Sequence, residues 1–353
     1  MGSRQLGKRG MYPRFRLVKA ESMVIDLVIF GRHDDEHVIS ISNIMSKRDL
    51  SYVIISTQDM LSKTGKFLYE RSNSVLRLAV DNKPIDLDTV RAFWSRRLSA
   101  EIPMSYNLAD ATQSWLESEH LHGLIGIVAS IYDHTKNTSK WVNSPIADYI
   151  AELKIYQLQI ASRYIDAWSI PSSIVSNSSI MFSDFVNRNH NSRLITKALH
   201  KGFYRKDGTY ELFYTTEVTD LISSPEYLQV IDQSCNLIQK YIEKKYEVRV
   251  TIIDKEFYCV AIYSQQSRIA NIDWRHYDLE NTPHELIDIP LRVKNACLAY
   301  MRDLNLVYGA IDFIVDQDDN YHFLEINPKG QWLWLEDLTN IPISLALANY
   351  FSK

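Results

Sequence analysis

Two strand-like runs near the C-terminus, Ala310-Ile311-Asp312-Phe313-Ile314-Val315 and Tyr321-His322-Phe323-Leu324-Glu325-Ile326-Asn327, flank the polar turn 317–320. They constrain the fold more than any other segment. Glu325 and Asn327 stand two apart, so on a strand they share one face. With 317–320 as a four-residue loop, Asp316 falls opposite Tyr321 and Asp312 opposite Glu325. A slip of one residue turns Asp312 to the other face. In the first register two carboxylates lie roughly 5 Å apart at Cβ and repel unless a cation separates them. Two carboxylates and an amide oxygen are hard ligands that suit Mg²⁺ keeping water and phosphate in its other positions. A solvated polar face fits these residues equally well. Asp316–Asn320 does not open a calcium loop, because it lacks the sixth-position glycine and Asn327 stands where an acidic twelfth residue belongs.

Upstream, short apolar runs alternate with helical stretches. Val24–Phe30, Tyr52–Ser56, Val75–Val80 and Arg91–Ser95 read as strands of a small parallel α/β sheet, and the spacing predicts a helix over 108–131. Asn143-Ser144-Pro145 starts a helix that runs to about Tyr164, with Ser144 as cap and Pro145 in the first turn. Ile170–Val175 is extended, and Arg193–Leu199 and Glu211–Thr215 look like strands of a second unit. Glu247-Val248-Arg249-Val250-Thr251-Ile252 alternates strictly, the mark of a strand with one buried face. It turns at Asp254-Lys255-Glu256 into Phe257–Ser264, and a helix over 291–304 precedes the acidic hairpin. With 353 residues the chain divides into an N-terminal α/β domain (23–130), a central subdomain (131–235) and a C-terminal subdomain (236–353). Residues 1–22 form a basic tail, disordered or leader-like, with Met23 a plausible start.

A net charge of −4 and a pI near 6.2 argue against a nucleic-acid or anionic-membrane binder. No apolar run reaches the 18 or so residues of a membrane span. Three scattered cysteines without a CxxC exclude a disulfide scaffold or zinc ribbon and place the chain in a reducing, cytoplasmic setting. The pairs His33/His37 and His120/His122 lack further ligands at metal spacing and read as ordinary histidines.

Cations complete the pattern. Glu247 and Arg249 share the polar face of their strand, where Arg249 can fork onto a phosphate. Lys154 interrupts an apolar helix face and Lys197 lies on an apolar strand. The order Lys154, Lys197, Gln239-Lys240-Tyr241-Ile242, Glu247-Val248-Arg249, Asp312, Glu325-Ile326-Asn327-Pro328 resembles the ATP-grasp superfamily of carboxylate ligases. The ending Phe323–Trp334, with Ser264-Gln265, Asp273-Trp274-Arg275 and Asn143-Ser144-Pro145, resembles its microviridin-type, or graspetide, macrocyclase branch.

That resemblance implies an ATP-grasp fold with nucleotide held between the central and C-terminal subdomains. It implies that Lys154 and Lys197 hold ATP phosphates, that Gln239, Lys240, Tyr241 and Ile242 form the adenine-side linker, and that Glu247 binds ribose. Asp312, Glu325 and Asn327 would hold Mg²⁺, with Arg249 and Arg275 steadying the transferred phosphoryl or the acyl phosphate. The implied reaction is ATP-dependent activation of side-chain carboxylates in a ribosomally made precursor peptide (leader plus core), then ring closure by Ser/Thr or Lys as ester or amide. The branch works without nucleic acid or membrane, and a homodimer is compatible with it. The run Tyr12-Pro13-Arg14-Phe15-Arg16-Leu17 resembles a tethered leader. The pattern departs at Tyr164–Trp168, which lacks a glycine, and in the loop Ala198–Gly208, whose glycines are Gly202 and Gly208. Two other readings stand: a ligase adding amino acids to a protein or small acid, and a non-catalytic nucleotide- or peptide-binding relative.

Overall fold

The computed structural model describes residues 24–56, 59, 67–72, 76–81, 83–98, 110–200, 202–206, 209–219, 224–276 and 278–353. The basic tail, its Tyr12–Leu17 segment and Gly208 lie outside them.

The first sheet is parallel, with strands in the order Tyr52–Ile55, Leu27–Phe30, Ala92–Ser95, Lys140–Val142. Leu27–Phe30 is buried on both faces, as its unbroken apolar sequence requires. The helix Asp110–Thr135 covers one face through Leu124, Val128 and Ile131, beside the stacked rings of Phe30, Phe93 and Trp141. The helices Glu36–Lys47 and Ile343–Ser352 cover the other. The expected strand over 75–80 does not join this sheet. Leu76–Val80 pairs antiparallel with Phe67–Arg71 and Lys83–Ile85. Asp81 takes a φ of 52°, the left-handed turn geometry that folds a strand directly back on its neighbour.

The middle sheet is antiparallel, in the order Thr216–Glu217, Leu194–Lys197, Asn236–Lys240, Ser173–Ser176. Asn236–Lys240, expected at the start of the C-terminal unit, is therefore hydrogen-bonded within the middle one. Of the strand read over 211–215 only Glu211 and Leu212 are strand, closing the Thr209–Leu212 arm of a hairpin with Phe203–Lys206; residues 213–215 are not, and the next two, Thr216–Glu217, edge the middle sheet.

The third sheet has five antiparallel strands, ordered His284–Leu286, Glu256–Ile262, Tyr246–Ile253, Tyr308–Val315, Tyr321–Asn327. The largest core packs its apolar face, through Val248, Ile252, Phe313 and Phe323, against Ile160, Trp168 and Tyr300. Strict alternation led to the expectation of one buried face on Tyr246–Ile253, yet Glu247, Arg249 and Thr251 are buried too. Their polar face is closed over and carries its own compensating charges.

The helix expected from Pro145 to Tyr164 is broken. Ser144 caps Pro145–Ala151, a second helix runs Lys154–Ala161, and a 3₁₀ turn follows. Buried Gln157 explains the break. Its amide nitrogen donates to the carbonyls of Ala151 (2.5 Å) and Ile326 (2.9 Å), and its oxygen accepts from the Ile326 N–H at 3.0 Å. The Ala151 carbonyl thus bonds a side chain instead of only continuing the helix, and the second helix is tied to the acidic hairpin.

Trp332 joins the first and third sheets. Fully buried, it donates from Nε1 to Ser344 Oγ at 2.8 Å and packs edge-on to His37 at 4.5 Å, under the Arg96 guanidinium at 5.3 Å. Trp332→Ala is expected to cost about 3–5 kcal/mol, measured by denaturant unfolding. A loss within experimental error would show that this junction does not hold the two sheets together.

Candidate active site

The hairpin register is set in two steps. Val315 pairs with Tyr321 and Phe313 with Phe323, one residue off the expected pairing of Asp316 with Tyr321. A bulge at Leu324 then restores Asp312 opposite Glu325. Phe323 and Ile326, three apart, both enter the core, while Leu324, Glu325 and Asn327 face a cavity. Without the extra residue, alternation from Phe323 would send Glu325 into the apolar core.

Arg249 pairs in register with Asp312, and Asp312 with Glu325, so three charged side chains stand abreast on neighbouring strands. Arg249 Nη1 donates to both Asp312 oxygens at 2.8 and 2.7 Å. At the far end Lys154 donates to Glu325 Oε2. The row therefore reads positive, negative, negative, positive. Asn327 Nδ2 donates to Asp312 Oδ2 at 3.1 Å, and turning its amide over presents oxygen to the same point. Lys154 opens its helix, where the dipole disfavours a cation, and the Glu325 carboxylate offsets this.

Burial raises both carboxyls, but with different outcomes. Against burial, Lys154 and then Arg275 and Lys197 hold Glu325 well below the ordinary range. Burial, abetted by Glu325, leaves Asp312 raised despite Arg249. Lys197 is pushed down to about 8, first by burial and then by Lys154 and Arg275, although Glu325 opposes the shift. Among the described residues it donates to no carboxylate.

All twelve residues expected at the site line one cavity of about 280 Å³ between the middle and third sheets. Lys197 and Gln239 enter from the middle sheet, and Lys240, Tyr241 and Ile242 lead across to the third. Glu247 holds Lys244 at 2.7 Å and accepts from Ser264 Oγ. Arg275 forks onto Asp273 through Nε (2.8 Å) and Nη2 (2.5 Å), and Asp273 also accepts from the Thr215 N–H at 2.9 Å. One edge of the Arg275 guanidinium is thus held by a neighbour and does not reach freely into the cavity. His37 is a structural histidine, accepting from the Trp332 N–H at 3.1 Å; His120 and His122 bond carbonyls of their own helix. Among the described residues no cluster of three or more His, Cys, Asp or Glu could hold a metal, so a cation here would rely on the pair of carboxylates and Asn327.

Seven lysines and arginines line the cavity against four carboxylates, a surplus that favours a polyanion. Among the described residues that line the cavity, two buried polar atoms lack partners, Gln239 Oε1 and Arg249 Nε. Gly330 closes on the row, since a Cβ there would come within 2.9 Å of Arg249 Nη2. These features fit a phosphate-bearing ligand with an amino group for Gln239 and a hard cation at Asp312, Glu325 and Asn327.

A second network supports the hairpin from behind, built on Asn143 of the Asn143-Ser144-Pro145 run and on Arg96, which no local pattern announces. Asn143 Nδ2 donates to Asp148 Oδ1 (2.8 Å), Tyr308 O (2.9 Å) and Pro328 O (3.1 Å), while its oxygen accepts from the N–H groups of Val307 and Tyr308. Buried Arg96 donates through Nη1 to the carbonyls of Lys329 (2.6 Å) and Gly330 (3.2 Å) and through Nε to Asp35 at 3.2 Å. Asp35 in turn accepts from the His37 ring at 3.0 Å.

No protein-family model matches the sequence, and no curated protein matches it either. Solved structures do. A RiPP-associated ATP-grasp ligase of Chryseobacterium gregarium, in complex with ADP and a leader and core peptide, is 22% identical over 92% of this chain and 96% of that one, with a TM-score of 0.78. The macrocyclase MdnC of Microcystis aeruginosa, bound with the precursor peptide MdnA, gives 23%, 92%, 98% and 0.76. The ATP-grasp ligase PsnB, complexed with minimal precursor, Mg and ADP, gives 19%, 92%, 96% and 0.72. The chain has the ATP-grasp fold.

Asp148 supplies a test of the supporting network. Its Oδ2 has no hydrogen-bond partner and Lys329 Nζ is 3.8 Å away. Burial pushes its carboxyl up to about 7, with Lys329 and Asn143 pulling the other way. A carboxyl raised in the folded state stabilises fully below its unfolded value near 3.8 and loses that contribution as pH rises through about 7. Asp148→Asn should therefore gain on the wild type as pH rises, by about 1–3 kcal/mol at pH 8. Denaturant unfolding at pH 5 and pH 8 checks this, and an unchanged difference between the two would mean that Asp148 is not held protonated.

Proposed function

We propose that the chain is an ATP-dependent, Mg²⁺-requiring ligase. It would activate side-chain carboxylates of a ribosomally made precursor peptide as acyl phosphates, then close ester or amide macrocycles with Ser/Thr or Lys side chains of the same peptide. One observation carries the reading: the positive–negative–negative–positive row lies in the cavity of a fold shared over 92% of the chain with a ligase complexed with ADP, leader and core peptide.

Gln239 Oε1 accepts from the adenine amino group, with Tyr241 and Ile242 beside it, and Glu247 bonds the ribose hydroxyls. Lys197 and Lys154 hold phosphate oxygens, and Lys154 releases Glu325 as it does so. Asp312, Glu325 and the Asn327 oxygen hold Mg²⁺, which when bound neutralises phosphate charge and aligns the terminal phosphoryl group. The peptide carboxylate attacks that group, ADP leaves, and Arg249 steadies the acyl phosphate through the guanidinium edge not used by Asp312. A Ser/Thr hydroxyl or Lys amine then displaces phosphate and loses its proton. Holding both ends of the peptide makes closure effectively unimolecular.

The direct test incubates peptides encoded beside this gene with the chain, ATP and Mg²⁺. Mass spectrometry should show loss of one water per ring together with ADP formation. ATP binding without any modified peptide would leave only a non-catalytic binder.

Two variants probe the assignments. Glu325→Gln keeps the strand pairing but removes a charged metal ligand, so ring closure should fall at least about a hundredfold with the unfolding midpoint retained. Normal product formation would remove Glu325 from the metal site. Arg275→Lys loses the bidentate grip on Asp273 and is expected to keep nucleotide affinity while losing most ring closure. Loss of ADP affinity in step with activity, measured by calorimetry, would move Arg275 to the nucleotide side.

A further inference from the structure

The parallel sheet has its own site logic. Its strand order runs one way from Leu27–Phe30 to Tyr52–Ile55 and the other way to Ala92–Ser95 and Lys140–Val142. Such a reversal opens a crevice at the carboxyl ends of the two central strands, where open α/β sheets take their ligands. Here that crevice receives the loop after the acidic hairpin. Arg96, one residue past Ala92–Ser95, grips the Lys329 and Gly330 carbonyls, and Asp35, beyond Leu27–Phe30, braces Arg96.

Arg97, the next residue, points a second cation at the mouth of the crevice. It is exposed and lines the same cavity as the acidic hairpin. Its one hydrogen bond among the described residues is a long one, Nη2 to Lys329 O at 3.5 Å. Most other cations of the cavity wall have carboxylates: Lys154 has Glu325, Lys244 has Glu247, Arg249 has Asp312 and Arg275 has Asp273. Lys197 and Lys240, which have none among the described residues, come from the middle sheet and its end, on the nucleotide side. Arg97 alone comes from the first sheet. Arg97 reaches the Lys329 carbonyl, and the next residue, Gly330, is the one whose missing Cβ leaves room for Arg249 Nη2.

We propose that Arg97 is a substrate-binding residue that takes the carboxylate of an acidic peptide side chain at the first-sheet wall of the cavity that Arg249 also lines. A forked guanidinium matches a carboxylate, and one that holds no carboxylate among the described residues has no internal ion pair to break first. This assignment rests on the peptide-ligase reading and names the residue through which that site selects an acid. Because the Arg96 guanidinium is held by the Lys329 and Gly330 carbonyls at Nη1 and by Asp35 at Nε, Arg97 is presented from a fixed point rather than a loose loop.

The test uses the full chain with ADP and Mg²⁺ and a fluorescein-labelled acidic peptide encoded beside the gene, alongside the same peptide with its acidic residues changed to Gln or Asn. The wild type should bind the acidic peptide about tenfold or more tightly than its amide counterpart. Arg97→Gln should lose that discrimination, and Arg97→Lys should keep part of it. Calorimetric ADP affinity should be unchanged in both variants. In turnover, Arg97→Gln should raise the peptide KM by a similar factor and leave kcat nearly as it was. Undiminished discrimination in Arg97→Gln, or ADP affinity falling with it, overturns the assignment, and ring formation by the wild type then leaves the ligase reading standing. Discrimination that depends on Arg97 without any ring product supports the contact and removes the ligase reading instead.

Discussion

Two carboxylates held side by side away from bulk water set the terms for this structure. Asp312 and Glu325 are adjacent in register, and neither can stay ionised there unaided. The chain resolves this from both ends, with Arg249 from the neighbouring strand and Lys154 from a separate helix. Arg249 and Lys154 sit on the carboxylates as a metal ion would, and the carboxylates sit on those cations as a polyphosphate would. Ligand binding can then be an exchange of partners rather than the burial of new charge, which keeps the desolvation cost low.

Most of the surrounding architecture serves that row. Gln157 breaks a helix and, with the same amide, ties it to Ile326. Asn143 fixes the strand start at Tyr308 and the turn at Pro328 together. Trp332 and Arg96 fasten the first sheet to the backbone just beyond the hairpin. The site belongs to no single sheet. Its geometry is a product of how the three are joined.

The residue types of the site were legible because charge on an alternating strand is a strong local signal. Lys154, Asp312 and Glu325 each break an apolar pattern, and Arg249 stands with Glu247 on the polar face of an alternating strand. The facing of Asp312 and Glu325 was legible for a partly wrong reason: the loop register is off by one, and the bulge at Leu324 corrects it. The signal was present in the three-residue spacing of Phe323 and Ile326, which no regular strand allows when both are core. Two further features were not readable from a single sequence. Lys140-Trp141-Val142 is too short to stand out as a strand, and Arg96 reads as one half of an ordinary basic pair until a partner more than two hundred residues away arrives. The buried polar face of Tyr246–Ile253 was missed for a related reason, since alternation reports which residues differ and not what covers them.

The grip of Arg96 is on main-chain carbonyls. It reads the path of the backbone and is blind to the side chains attached to it, so Lys329 can drift in sequence without loosening the hold. Gly330 has no such freedom, because its bare Cα lets the loop lie against Arg249 and Ala310. In related chains the Arg96 hold alone should constrain only the second of these neighbours, although one cation holds them both; the first answers instead to its own pairing with Glu152 and Asp148.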